Sequence, residues 1–308
     1  MHGLLRALAG VALMAAAVLR AQGPPIREPR TLRSSVEVTA VTVTVRDGDG
    51  RLVPNLPRSV FEVYEDGVPQ TMTQFTSERV PVGVGLLLDV SDSMFGQRIV
   101  DARLAVERFL VDLLAPEDAF FVMTFNHIPQ LVTPWTESAE RASVRTTLEK
   151  VRAFGGTAIY DTVAAALPLI GERPRDRAAL VLISDGADTA SDVSLRGLRS
   201  SLLRTDAFVY AIAIDSTQRQ AINTRVNPEA LSEITNQTGG RTEVVKDTAD
   251  LAGATARIAE ELNTQYVLGY SSPHPGDGKY HSIRVAVSTA GYRVRARNGY
   301  VAAPVKTR

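Results

Sequence analysis

Two kinds of hydrophobic pattern divide the chain. Between Val82 and about Thr264, short apolar runs alternate with segments whose apolar residues recur every three or four positions. Val84-Gly85-Leu86-Leu87-Leu88 is nearly continuous apolar sequence, as expected of a strand buried on both faces of a parallel sheet. Ile99, Ala102, Val106, Phe109, Leu110 and Leu113 share one helical face, which predicts an amphipathic helix over Gln97–Leu114. The alternation continues with a strand at Ala119–Phe125 and helices at Glu137–Ala153 and Ala158–Ile170. Next come a strand at Ala178–Ile183, a helix near Asp192–Arg204 and a strand at Phe208–Ile214. A short helix near Pro228–Thr238 precedes a strand at Thr242–Val245, and Asp247 can cap a last helix ending near Thr264. Alternation of this kind predicts an α/β fold: a doubly wound, mostly parallel sheet with helices on both faces.

The flanks have a different period. Val36, Val38 and Ala40 alternate with polar residues, and then the phase shifts to Val41, Val43 and Val45, which predicts a strand with a bulge or a change of buried face. Phe61–Tyr64 reads as a second strand, and Asp66-Gly67 is a hairpin signal leading into Val68–Phe75. At the other end, Tyr266–Leu268 is apolar, Ile283, Val285 and Val287 alternate, and Tyr292, Val294 and Ala296 alternate again after a turn at Ala290-Gly291. Each flank alone has too few strands to be stable. The expected organisation is therefore a linker and N-terminal strands over residues 23–80, an α/β domain over residues 81–265, and C-terminal strands over 266–308 that pair with 34–80 into a small β module. Residues 24–33, rich in proline, read as a linker before the first strand.

Composition narrows the function. Lysine and arginine together equal aspartate and glutamate at 34 each, so no basic excess points to nucleic acid. The apolar stretch up to Leu19 follows Arg6, is closed by Arg20 and leads into small residues at Ala21 and Gly23, the pattern of a signal peptide over residues 1–22. The alternative is an uncleaved anchor. Export would place the protein in the periplasm, on the cell surface or outside the cell, and no later segment is apolar for long enough to span a membrane as a helix. With no cysteine, the fold needs no disulfide, and thiolate metal sites and a cysteine nucleophile are excluded.

Candidate chemistry lies in three segments: Asp89-Val90-Ser91-Asp92-Ser93 directly after a predicted strand, Gly155-Gly156-Thr157 between two predicted helices, and Ser184-Asp185-Gly186 directly after another strand. Open α/β sheets collect ligands outside the carboxyl ends of their strands, where strand order reverses. The Asp-x-Ser-x-Ser spacing lets three side chains on one tight turn face one point. The set offers oxygen only, as two carboxylates and three hydroxyls, which suits Mg²⁺, or Mn²⁺ or Ca²⁺, rather than zinc or copper. Neutral hydroxyls leave an ion residual positive charge, with a position open to a carboxylate from elsewhere.

These segments resemble the metal-ion-dependent adhesion site of the von Willebrand factor type A family, with Asp89, Ser91, Ser93, Thr157 and Asp185 in its five places. The resemblance covers roughly residues 81–265, and the flanks are similar to those of a bacterial exported group related to that family. It implies that Ser91, Ser93 and Thr157 reach the ion directly, and that one or both aspartates act directly or through water. It also implies a non-enzymatic module that binds a protein partner through an acidic side chain, with the last helix able to respond. A metal that merely clamps the loops, or a metal-assisted hydrolase, is the alternative. No nucleophile elbow, phosphate-binding loop or His-Glu-x-x-His stands in the sequence. Asp161, one helical turn past Thr157, is either an orienter of the site or a capping carboxylate. His127 reads as a loop residue, Trp135 as partly buried packing and His281 as a solvated strand residue.

Overall fold

Backbone groups in an apolar run need partners on both sides, and the central strands find them in one sheet. The computed structural model describes residues 38–137, 141, 143–172, 177–214 and 227–304; the apolar N-terminal segment, the stretch at 24–33 and Val36 lie outside the described residues. The central sheet comprises β5 (Val82–Asp89), β6 (Ala119–Phe125), β7 (Pro129–Glu137), β8 (Arg177–Ser184), β9 (Phe208–Ile214) and β10 (Thr242–Val245). Their order is β10-β9-β8-β5-β6-β7, parallel throughout except for β7. Every residue of β5, β6 and β9 is buried.

Helices cover both faces. On one, α1 (Gln97–Arg108), α2 (Ser143–Glu149) and α6 (Leu251–Asn263) bring Val106, Leu148 and Ile258 against Leu86 and Leu88. On the other, α3 (Ile159–Glu172), α4 (Leu195–Leu202) and α5 (Pro228–Thr238) bring Val163, Leu198 and Leu231 against Leu87. The long helix expected to Leu114 ends as α-helix at Arg108 and continues as a π-helical turn over Phe109–Leu113. Asp247 caps a short 3-10 turn, Thr248–Asp250, ahead of α6. The helix expected over Glu137–Ala153 is corrected: Glu137 closes β7, and among the described residues of that stretch only Ser143–Glu149 is helical. Pro129 and Pro134 hide this strand in the sequence, and its edge position, where one row of donors needs no partner, accommodates them.

The flanking strands form two four-stranded antiparallel sheets, each mixing both ends of the chain. One has the order β13 (Arg293–Arg295), β1 (Val38–Arg46), β11 (Tyr266–Ser271) and β4 (Met72–Thr76). The other has the order β14 (Gly299–Val301), β12 (Tyr280–Val287), β2 (Phe61–Glu65) and β3 (Val68–Gln70). The strand expected over Val68–Phe75 is thus split, its halves serving different sheets. The Asp66-Gly67 turn has both residues at positive φ, 50° and 79°, as a tight hairpin requires. Val41, Val43, Phe61, Val63, Tyr266, Leu268 and Ile283 fill a common core between the sheets. The phase shift in β1 is a change of face, because its pairing with β11 runs unbroken from Val38 to Val43. Val41, Val43 and Val45 enter the sandwich core, while Thr44 is buried on the other side against Glu261 of α6. His281 is also corrected: it is 4% exposed, not solvated.

Candidate functional site

Strand order reverses between β5 and β8, which lie side by side and parallel with Leu88 opposite Ile183. The two aspartates are therefore delivered to one place by the sheet itself: Asp89 is the last residue of β5 and Asp185 follows the last residue of β8. Neither is exposed at all. The Asp89 carboxylate accepts the Ser91 backbone N–H at 2.8 Å on one oxygen and the Ser184 hydroxyl at 2.5 Å on the other. Ser91 and Ser93 touch through their hydroxyls at 3.0 Å, and the Ser93 hydroxyl donates to Asp185 at 2.6 Å. Asp89, Ser91, Ser93 and Asp185 are thus linked in one hydrogen-bonded group.

The Thr157 loop is fastened to this group by the backbone. The Asp92 N–H donates to the Gly155 carbonyl at 3.0 Å, and the Phe154 N–H donates to the Val90 carbonyl at 2.9 Å. Gly155 has φ of 80°, and a Cβ there would lie 2.6 Å from the His127 ring. Thr157 itself is 5% exposed, and its carbonyl accepts the N–H groups of Thr189 and Ala190 at 2.8 and 3.1 Å. Three loops thereby converge at the carboxyl end of the sheet.

Electrostatics at this spot are costly. Burial pushes the Asp89 carboxyl up to about 7 against the opposing bonds from Ser184 and Ser91, and the Asp185 charge adds to the rise. Burial also raises Asp185, although Ser93 and Arg98 hold it back. Two desolvated carboxylates at adjacent strand ends favour a cation between them. The donor set is oxygen throughout and so fits a hard divalent ion, with Asp89, Ser91, Ser93, Thr157 and Asp185 as the residues that could hold it.

Sequence reasoning missed Arg98 and, although it named Ser184 beside Asp185, the part that Ser184 plays. Ser184 supplies the second bond to Asp89, a role visible only once β5 and β8 are paired. Arg98, in the first turn of α1, donates to the second oxygen of Asp185 at 2.7 Å and to the Ser93 carbonyl at 2.9 Å. Nothing in the helical pattern distinguishes it from a surface arginine. Asp161 acts as a clamp on the loop before α4, accepting the N–H groups of Asp192 and Val193 at 3.0 and 2.8 Å. His127 packs edge-on against Phe154, with ring centres 5.9 Å apart. Trp135 is half-buried, as expected, edge-on to Phe121, and donates to the Leu169 carbonyl at 2.8 Å.

Residues 84–187, which contain all three loops, match the family model of the von Willebrand factor type A domain. The chain carries a von Willebrand factor type A domain. It is 22% identical over 209 residues to inter-alpha-trypsin inhibitor heavy chain H2 of Sus scrofa, covering 64% of this chain and 21% of that protein. It is 29% identical over 115 residues to an uncharacterised protein of Synechocystis sp., covering 37% of this chain and 27% of the relative. The chain therefore spans about a fifth to a quarter of the length of these relatives. Among solved structures, a von Willebrand factor type A protein from Catenulispora acidiphila superposes with a TM-score of 0.53 at 14% identity, covering 88% of this chain and 75% of that one. Proximal thread matrix protein 1 of the mussel byssus gives a TM-score of 0.52 at 16% identity, covering 65% and 51%. These two likenesses concern the fold. In this chain the von Willebrand factor type A domain is joined to the antiparallel sandwich built from its two flanks.

Proposed function

We propose that this is an exported, divalent-metal-dependent protein-binding module, in which Asp89, Ser91, Ser93, Thr157 and Asp185 hold Mg²⁺, or Mn²⁺ or Ca²⁺, and a partner supplies an acidic side chain. The observation that carries the reading is the placement of two fully buried carboxylates at neighbouring strand ends, bound into one group with two serine hydroxyls. When bound, the ion supplies a Lewis-acid centre for an incoming carboxylate. Arg98 neutralises one charge of Asp185, so the two aspartates, Arg98 and a divalent ion together carry one net positive charge. That charge selects an acidic partner group.

The surroundings fit a docking role. Phe95, next to the Asp92–Met94 turn, is 78% exposed, and Phe154, beside Gly155, is 54% exposed. Large exposed apolar side chains around a polar centre are the composition of a protein contact: aromatic anchors beside a charge-selective group. Among the described residues no helix is long and apolar enough to cross a membrane. Export itself rests on the sequence of residues 1–22, which lie outside the described residues.

The test is partner capture from the envelope fraction of the producing cell, with the chain immobilised. The reading requires retention in Mg²⁺, release by chelator, and loss of capture in Asp89→Ala with an unchanged circular dichroism spectrum. Phe95→Ser should weaken capture several-fold without affecting the ion. Capture that is indifferent to chelator would contradict the proposal.

A further inference from the structure

The antiparallel sandwich has a second concentration of ligating side chains, remote in sequence from the strand-end loops. Glu65, Asp66, His274 and His281 each place one ligating atom within 4.8 Å of those of the others. The donor chemistry differs from the first site. Two imidazoles and two carboxylates make a nitrogen-oxygen set, which prefers a borderline transition ion in four-coordinate geometry.

The surrounding structure holds these groups in place. Glu65 closes β2 with a fully buried side chain; one oxygen accepts the Tyr270 hydroxyl at 2.5 Å and the other accepts the Ser272 hydroxyl at 2.7 Å. Asp66 sits in the left-handed turn at φ 50°, and the Ser282 backbone N–H holds one of its oxygens at 2.8 Å. Its other oxygen lies 2.7 Å from Nδ1 of His281. Nε2 of His281 lies 3.1 Å from Asp277, so a carboxylate already orients the ring from behind. This carboxylate–imidazole pairing is how metal-binding histidines are usually fixed. His274 stacks on His281 with ring centres 4.7 Å apart and planes 4° from parallel. An ion on Nδ1 would lie in the plane of the His281 ring, so His274 must turn to reach it. Being exposed, His274 has room to do so.

We propose that this cluster is a zinc-class metal site, with Glu65, Asp66, His274 and His281 as ligands and Asp277 as the positioning residue. Binding releases to solvent the proton shared between His281 and Asp66, and the ion takes its place. It ties the loop carrying His274 and Asp277 to the β2–β3 hairpin, and so closes one edge of the sandwich. The inference does not rest on the first site.

The experiment uses the full chain carrying Asp89→Ala, stripped of metal and titrated with Co²⁺ and then Zn²⁺. One equivalent of Co²⁺ should give the intense visible bands of a four-coordinate ion, and Zn²⁺ should displace it. His274→Ala, at an exposed position, should weaken binding by at least tenfold, and Asp277→Asn by about ten- to a hundredfold. No bands, only the weak bands of a six-coordinate ion, or binding unaffected by His274→Ala would overturn the proposal.

Discussion

At the scale of single residues, Asp89 concentrates the account. Its carboxyl is fully buried and raised to about 7 from an ordinary 3.8. The folded state therefore keeps a proton that the unfolded chain has already lost over that interval. Linkage then requires the contribution of Asp89 to the stability of the metal-free protein to fall as pH rises from about 4 to about 7, and to level off above. Asp89→Asn removes this contribution. Denaturant melts of metal-free wild type and Asp89→Asn across this range should diverge in slope, the variant gaining relative stability toward neutral pH; parallel curves would contradict the assignment. Four of the five candidate ligands are legible in the sequence because they stand in two short segments at strand ends, and Thr157 follows two glycines in the loop ahead of α3. Arg98 is not, since an arginine in the first turn of an amphipathic helix has no distinguishing pattern until the fold brings Asp185 to it. His281 did leave a signal. It is in phase with Ile283, Val285 and Val287, the inward face of β12, and that alternation predicts burial.

At the scale of elements, α6 is the joint between the two layers of the molecule. Glu261, with no exposed side-chain surface, accepts from Arg46 of β1 at 2.7 Å, from Arg241 at 2.9 Å and also from Arg295 of β13. The Tyr210 hydroxyl of β9 adds a bond at 3.0 Å. Three cations share this carboxylate, so removing it leaves them facing each other in a partly dry space. Glu261→Ala should cost about 3–5 kcal/mol, the range for breaking a buried ionic group from one side. Equilibrium unfolding would measure the cost, and a loss below about 1 kcal/mol would show that α6 is not pinned here. The main strands are legible because burial on both faces writes a continuous apolar run, as in Val82–Leu88. β7 is not legible because an edge strand needs neither that run nor all its donors, and its two prolines read as breakers. The division of Val68–Thr76 between two sheets is also invisible locally: both halves alternate, and only long-range pairing decides their partners.

At the scale of the whole molecule, the chain interrupts a β sandwich with an α/β domain. β1 and β11 pair although more than two hundred residues separate them, and the last helix of the α/β part runs directly into β11. The α/β part and the sandwich are therefore connected through α6 and its Glu261 cluster. An ion bound only by the folded state adds stability in proportion to the logarithm of its concentration over its dissociation constant. The central claim is that the strand-end group of Asp89, Ser91, Ser93, Thr157 and Asp185 holds a divalent ion. It is tested most directly by calorimetric titration of Mg²⁺ into the metal-stripped chain, beside Asp89→Ala. Saturable binding at one site is expected in the wild type and none in the variant. Absence of binding in the wild type, or equal binding in Asp89→Ala, would contradict it.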